Sequence, residues 1–356
     1  MRGPDDQTDH MFSYLSPESR VRADHPLRAI RRITDAALTA ISPELERLYS
    51  DIGRPSIPPE QLLRALVIQV LYSVRSERLL MEEIDYSVLF RWFIGLNLDT
   101  PIWSHSTFSK NRERLLRGDV AGAFFAAVAE QARAAGLLSD EHFTVDGTTL
   151  EAWASLKSFQ PREAPPPDDP DRGNPTVDFT GQRRKNDTHV SRTDPDARLY
   201  RKADGDKAVL AYLAHVLLDN RYGLVHSACV TAADGYAERE AATLLLEASG
   251  RRRGTLGADR GYNVPNFVAA VRRLGFTPHV ATKAQYNAID GRVTHTAGCA
   301  VSQRKRKLVE QVFGWMKTVG LLRKLRHRGG ERVNWVVTLT AATYNMVRMR
   351  RLLVAP

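Results

Sequence analysis

The hydrophobic rhythm of the chain changes near residue 140, and that change divides it. From about residue 26 onward, apolar positions recur three and four apart, the spacing that lines one face of a helix. Leu27, Ile30, Ile33 and Leu38 form one stripe in a segment opening at Pro26, with Arg28, Arg31 and Arg32 outside it. Leu62, Leu63, Leu66, Val67, Val70 and Leu71 form another, begun by Ser56 or by the prolines after Gly53-Arg54-Pro55. Residues 77–95 repeat the pattern with Leu79, Leu80, Ile84, Leu89, Phe90, Trp92 and Phe93, and residues 119–138 are an alanine-rich helix. At Glu141–Leu150 the period falls to two and a strand is predicted. Ala208–Leu218 and Leu224–Thr231 then make a hairpin around Asn220 and Gly223. A helix over Ala237–Ala248, a short strand over Thr255–Asp259, a helix capped by Asn263 and a strand over Thr277–Thr282 follow. The basic segment Ser302–Lys317 and a last segment, about Arg332–Leu353, are helical.

Such an order predicts an all-α N-terminal domain over 1–138 and an α/β domain over 139–356, built on a mixed sheet with flanking helices. Residues 157–205 break the pattern. Pro165-Pro166-Pro167 excludes helix and central strand, apolar content is low, and Arg183, Arg184, Arg201 and Lys202 make the stretch basic. It reads as a long loop, suited to a phosphate backbone or an insertion without a role.

Charge narrows the partners. With 51 Lys and Arg against 41 Asp and Glu, the formal net charge is +10. A polyanion, nucleic acid or an anionic membrane surface, is favoured. No apolar run is long enough for a membrane span, and the N-terminus lacks the apolar core of a signal peptide. Cys229 and Cys299 lie too far apart for a structural zinc site, which fits a reducing cytoplasm.

Candidate chemistry lies where local rules break. Asp is depleted inside strands, yet Asp146 stands in one; Asp259 ends another. Each is equally a turn-forming Asp before a glycine. Wound as one helix, residues 303–317 gather Gln303, Arg306, Glu310 and Lys317 on one face. Glu310 there is either half of an i,i+4 pair with Arg306 or a third carboxylate for the two aspartates. Three converging carboxylates call for divalent cations, and Mg²⁺ (or Mn²⁺), two ions together, clamps both oxygens of a phosphoryl displacement. Ser104–Leu115, with Lys110, Arg112 and Arg114, is either a capped surface helix or one that enters a DNA groove. No phosphate-binding Gly-x4-Gly-Lys-Ser/Thr loop occurs, so no nucleotide triphosphate site is expected.

Several longer stretches resemble one family. These are Gly53–Ser56, Arg75–Arg78, His105–Asn111, Phe143–Thr148, Asp194–Lys202, Gly257–Tyr262 and Ser302–Lys317. Together they resemble bacterial transposases of the insertion-sequence-five group over nearly the whole chain, about Met11 to Arg351. The resemblance implies a ribonuclease-H-like catalytic domain in which Asp146, Asp259 and Glu310 hold the metal ions. It also implies an N-terminal helical part that reads the terminal inverted repeats of the element. The related pattern Tyr-x2-Arg-x3-Glu-x6-Lys falls on Gln303, Arg306, Glu310 and Lys317, with Gln in place of Tyr. The expected DNA-facing cations are Arg304, Arg306, Lys307, Lys317, Lys110, Arg112, Arg114, Arg201 and Lys202. A DNA transposase working as at least a dimer on double-stranded DNA in the bacterial cytoplasm is the leading expectation. A silent DNA-binding descendant and a ribonuclease-H-like nuclease are the alternatives.

Overall fold

Val209–Asp219 is an almost unbroken apolar run, and every residue from Leu210 to Asp219 is buried. A strand apolar on both faces belongs inside a sheet, and this one, β5, lies between two long neighbours. The computed structural model describes residues 16–49, 52, 56–162, 184–202 and 205–354. Its N-terminal half holds α1 Pro17–Arg20, α2 Pro26–Ala40, α3 Ser42–Glu46, α4 Pro59–Leu71, α5 Glu77–Tyr86, α6 Val88–Ile94, α7 His105–Arg117 and α8 Val120–Ala134. The other strands are β1 His142–Glu151, β2 Phe159–Pro161, β3 His189–Ser191, β4 Arg198–Tyr200, β6 Val225–Ala232, β7 Gly254–Ala258 and β8 Phe276–Val280. The remaining helices are α9 Ala237–Ala248, α10 Pro265–Arg273, α11 Gly291–Thr294, α12 Ala297–Arg306, α13 Leu308–Thr318 and α14 Gly330–Val354.

β1 runs antiparallel to β5, and β5 antiparallel to β6. β7 runs parallel to β1, and β8 parallel to β7. The long strands therefore stand in the order β6-β5-β1-β7-β8. Three antiparallel strands followed by two parallel ones is the ribonuclease-H-like sheet that the sequence predicts, and helices precede it.

Alternation along the strands separates two cores. Val216 and Leu218 of β5 face a core shared with α2, α4, α8, α13 and α14, which therefore ties the N-terminal helices to the sheet. Leu217 faces a second core with Phe143, Val145, Leu245, Leu246, Phe267 and Val271, supplied by β1, α9 and α10.

Three local expectations change. The stretch 157–205 is not loop throughout: β2 pairs with β3, and β4 pairs with the start of β5. Short strands form there because Phe159, His189 and Ser191 are buried, low overall apolar content notwithstanding. Residues 163–183, with the prolines and Arg183, lie outside the described residues, as do Gly53–Pro55 and the first residues of the matched stretch. Residues 77–95 form two helices, because Ser87 ends α5 and its side chain accepts from Phe90 N–H to start α6. Asn263 does not cap α10, whose start has no side-chain cap. Its side chain instead accepts from Ala288 N–H at 2.8 Å and donates to Ala281 O at 2.9 Å, pinning the loop after β8.

Candidate active site

β1 and β7 pair only where His142–Thr144 faces Thr255–Gly257. Beyond that point β1 continues along β5 as far as Glu151, while β7 stops at Ala258. The two strands part and leave a cleft at the carboxyl end of β7, the place where α/β sheets put their sites. Asp146 stands on β1 at the parting, and Asp259 is the first residue past β7.

Each carboxylate is held by one oxygen. Gly147 N–H donates to Asp146 Oδ1 at 2.9 Å, and Gly261 N–H donates to Asp259 Oδ1 at 2.7 Å. The short Asp-Gly and Asp-Arg-Gly sequences thus make turn bonds and leave Oδ2 of each aspartate for another partner. For Asp146 that partner is Arg306, whose Nη1 lies 4.0 Å from Oδ2. Burial pushes the Asp146 carboxyl up to about 6; the Gly147 bond opposes this, the Asp259 charge adds to it, and Arg306 opposes it. Glu238 on α9 adds a further push upward.

The basic segment expected as one helix is two. α12 ends at Arg306 and α13 begins at Leu308, with Lys307 between them. Glu310 N–H bonds Lys307 O at 3.2 Å, three residues back. The junction lets α12 serve the sheet ends while α13 buries Val309, Val312, Phe313 and Met316 in the core below. Gln303 Nε2 donates to Ala258 O at 3.2 Å and to His279 O at 2.5 Å, so α12 is docked on the residue that precedes Asp259. Arg306 turns to Asp146 and not to Glu310, so the i,i+4 pair does not form. The Glu310 side chain is exposed and, among the described residues, makes no hydrogen bond or ion pair.

The structure therefore brings Asp146 and Asp259 to one cleft and leaves Glu310 apart from them. Among the described residues no three His, Cys, Asp or Glu side chains stand close enough to hold a metal ion by themselves. The donors that do face the cleft are carboxylate oxygens, which suit a hard cation. Mg²⁺ keeps several waters and takes one or two carboxylates, completing its shell with substrate phosphates. Among the described residues, two half-buried aspartates, Asp259 with Oδ2 unbonded and Asp146 with Oδ2 in only a 4.0 Å ion pair to Arg306, fit that kind of open site.

The expected DNA-facing cations divide. Arg304, Lys307, Lys110, Arg114, Arg201 and Lys202 are exposed. Lys317 is half-buried, and burial lowers its pKa, helped by the like charges of Lys202 and Arg323. Those three cations thus share one neighbourhood. Arg112 is turned inward, paired with Glu77 and, at 3.2 Å, with Glu113. On α7 it lies on the side packed against α5, so its charge is spent inside the fold. Ser104 caps that helix, accepting from Thr107 N–H at 3.2 Å.

Two family models match the chain. One, described as a transposase domain (DUF772), covers residues 15–114. The other, described as a transposase DDE domain, covers residues 177–346. The chain carries the domains of a DDE transposase. The DDE match includes Asp259 and Glu310 and begins after Asp146. No curated protein matches this transposase. Two solved structures align with it at 12% identity: a pre-cleavage Mos1 transpososome, and the Mos1 transposase paired-end complex with left transposon end. The alignments cover 85% and 76% of this chain and 82% of each of theirs, with TM-scores of 0.21 and 0.20. Scores of that size establish no shared fold.

Proposed function

We propose that this DDE transposase belongs to the insertion-sequence-five group, binds the terminal inverted repeats of its own element, and cuts and joins DNA with Mg²⁺ or Mn²⁺. The observation that carries the reading is the pair of anchored aspartates at the parting of β1 and β7, each offering Oδ2. Two bound divalent ions would supply charge neutralisation and an activated oxygen nucleophile. Asp146 and Asp259 hold that metal centre. Glu310 completes it when α13 shifts about the Lys307 junction, and Arg306 then leaves Asp146 for a DNA phosphate.

The chemistry balances without an outside energy source. In cleavage, a water oxygen bonds to phosphorus as the water gives up a proton, the bond from phosphorus to the 3′ oxygen breaks, and that 3′ oxygen takes up a proton and leaves as a hydroxyl. In joining, the freed 3′-hydroxyl bonds to a target phosphorus and another 3′ oxygen departs, so the number of phosphodiester bonds is kept. Lys317, Arg304, Lys307, Arg201 and Lys202 hold the backbone near the cleft. Residues 1–138 form the end-binding domain and residues 139–356 the catalytic domain, with Lys110 and Arg114 of α7 facing the repeats. Two ends must be held together, so at least a dimer acts, in the bacterial cytoplasm on nucleoid DNA.

The test uses DNA from the flanks of the coding region, where matched inverted repeats name the substrate. Purified protein should nick that DNA and join it only with Mg²⁺ or Mn²⁺. Asp146→Ala, Asp259→Ala and Glu310→Ala proteins should bind it and not cut. Full cleavage by the Glu310→Ala protein rejects the triad. Binding without cutting in either metal points to a silent DNA-binding descendant, and cutting without joined products points to a nuclease.

A further inference from the structure

The first turn of α9 crosses β1 at Gly147, the one position there without a side chain. A Cβ placed on Gly147 would lie 3.2 Å from Glu238 Oε1, 3.3 Å from Glu238 Cγ and 3.1 Å from His215 Nδ1. Alternation along β1 sets residue 147 on the other side of the sheet from residue 146. Glu238 thus approaches the cleft from the α9 side, as Arg306 approaches from the α12 side.

Glu238 is half-buried and, among the described residues, its side chain makes no hydrogen bond or ion pair. Arg239 beside it is engaged elsewhere, over the Tyr236 ring and on Gly235 O. Two buried polar atoms next to the same space also lack partners: His215 Nδ1, on a residue with no exposure, and Tyr262 Oη, on one 1% exposed. Burial holds the Tyr262 hydroxyl well above its usual pKa, and the charges of Glu238, Asp146 and Asp259 add to that in this order. Burial, and then the Asp259 charge, likewise push the Glu238 carboxyl up. The charges of Arg239 and Lys202 offset that push without pairing with the carboxylate. One carboxylate in no ion pair, and two orphan polar atoms beside it, describe a place that something positive or strongly hydrated fills.

We propose that Glu238 is a further metal ligand of this active site: as the side chains stand, no three of the described residues close on an ion, and a divalent cation at Asp146 and Asp259 draws the Glu238 oxygen in. The proposal rests on the metal-dependent function given above. His215 Nδ1 and Tyr262 Oη are positioning groups that steer the Glu238 carboxylate once the cation is bound. The missing side chain of Gly147 is what lets that carboxylate in.

The test is Mn²⁺ binding to the full chain, followed by electron paramagnetic resonance of the free ion, with melting recorded with and without Mn²⁺. Glu238→Gln should weaken Mn²⁺ roughly tenfold or more and shrink the Mn²⁺-induced rise in melting temperature. Without metal it should melt at or above wild type, because a repulsion has been removed. Glu240→Gln, on an exposed neighbour, should change neither, and Glu238→Asp should recover part of the affinity. Wild-type Mn²⁺ binding by Glu238→Gln, with binding lost in Asp146→Asn, overturns the Glu238 assignment and leaves the function standing. Equal weakness of the Asp and Gln variants, with metal-free melting lowered in both, also overturns it, since Glu238 would then be a packing residue. A wild-type chain that binds no Mn²⁺ overturns the metal-dependent function and this assignment together.

Discussion

The acids at the sheet end and the acid on α13 are held in opposite ways. Asp146 and Asp259 are half-buried, anchored through glycine N–H groups and set close enough to repel. The Glu310 side chain stands in solvent and, among the described residues, bonds to nothing. One part of the site stores electrostatic tension in the absence of a cation, and the other stores none. Burying like charges costs stability that a cation can return, whereas an exposed carboxylate costs little and gains only when it is brought in. On the proposed function, the sheet end is the fixed half of the site and the Lys307 junction the adjustable one.

The sharpest way to break that contrast is catalysis. Asp146→Asn, Asp259→Asn and Glu310→Gln should each lower metal-dependent strand cleavage by roughly 10³-fold, since a metal centre supplies several kcal/mol to the transition state. A gel assay on matched element ends reads this, and a Glu310→Gln protein with near-normal rates would remove α13 from the chemistry.

Acid unfolding separates the buried groups by sign. Burial lowers His215 to about 4, so the unfolded chain takes up its proton first as pH falls. The stability tied to neutral His215 is therefore present above about pH 6.5 and lost towards pH 4, by about 3 kcal/mol. His215→Gln should flatten that limb in a urea titration repeated across pH.

Asp146 runs the other way. Its folded pKa of about 6 is raised, so its contribution is full below the unfolded value and falls as pH rises through 6. Without metal at pH 7.5, Asp146→Asn should stabilise the chain by about 1–2 kcal/mol. Glu310→Gln should stay within about 0.5 kcal/mol of wild type. Thermal melting of the two variants side by side measures the difference between the halves, and equal shifts would erase it.

The smallest effect is ionic. Replacing Lys317 or Arg304 by Gln should lower the salt slope of DNA affinity by about one unit per lost phosphate contact. Arg112→Gln should leave the slope unchanged, because Glu77 already holds that charge.

The sequence discloses the fold where local chemistry is decisive. β5 is apolar on both faces and can only be central, and the step from helical spacing to period two marks the start of the sheet. Asp146 and Asp259 are legible because each stands before a turn glycine at a strand in a basic chain. The break at Lys307 is not legible, since no proline or glycine marks it; it arises from the separate docking of Gln303 and Val309. Nor is Glu238, which sits among alanines and charges on an ordinary amphipathic helix. What signals it is the bare backbone of Gly147 on another strand, a relation that no spacing along the chain contains.

The side chains of α14 finish the outer strand of the sheet. Asn345 accepts from Val225 N–H at 2.8 Å and donates to Val225 O at 2.7 Å, while Asn334 accepts from Val230 N–H at 2.9 Å. During synthesis β6 emerges about a hundred residues before these two asparagines, and until they arrive its rim is free to zip onto strands of other chains. A ribosome stalled before residue 334 would release a sticky fragment, so the step from polypeptide to finished fold waits on the completion of one late helix.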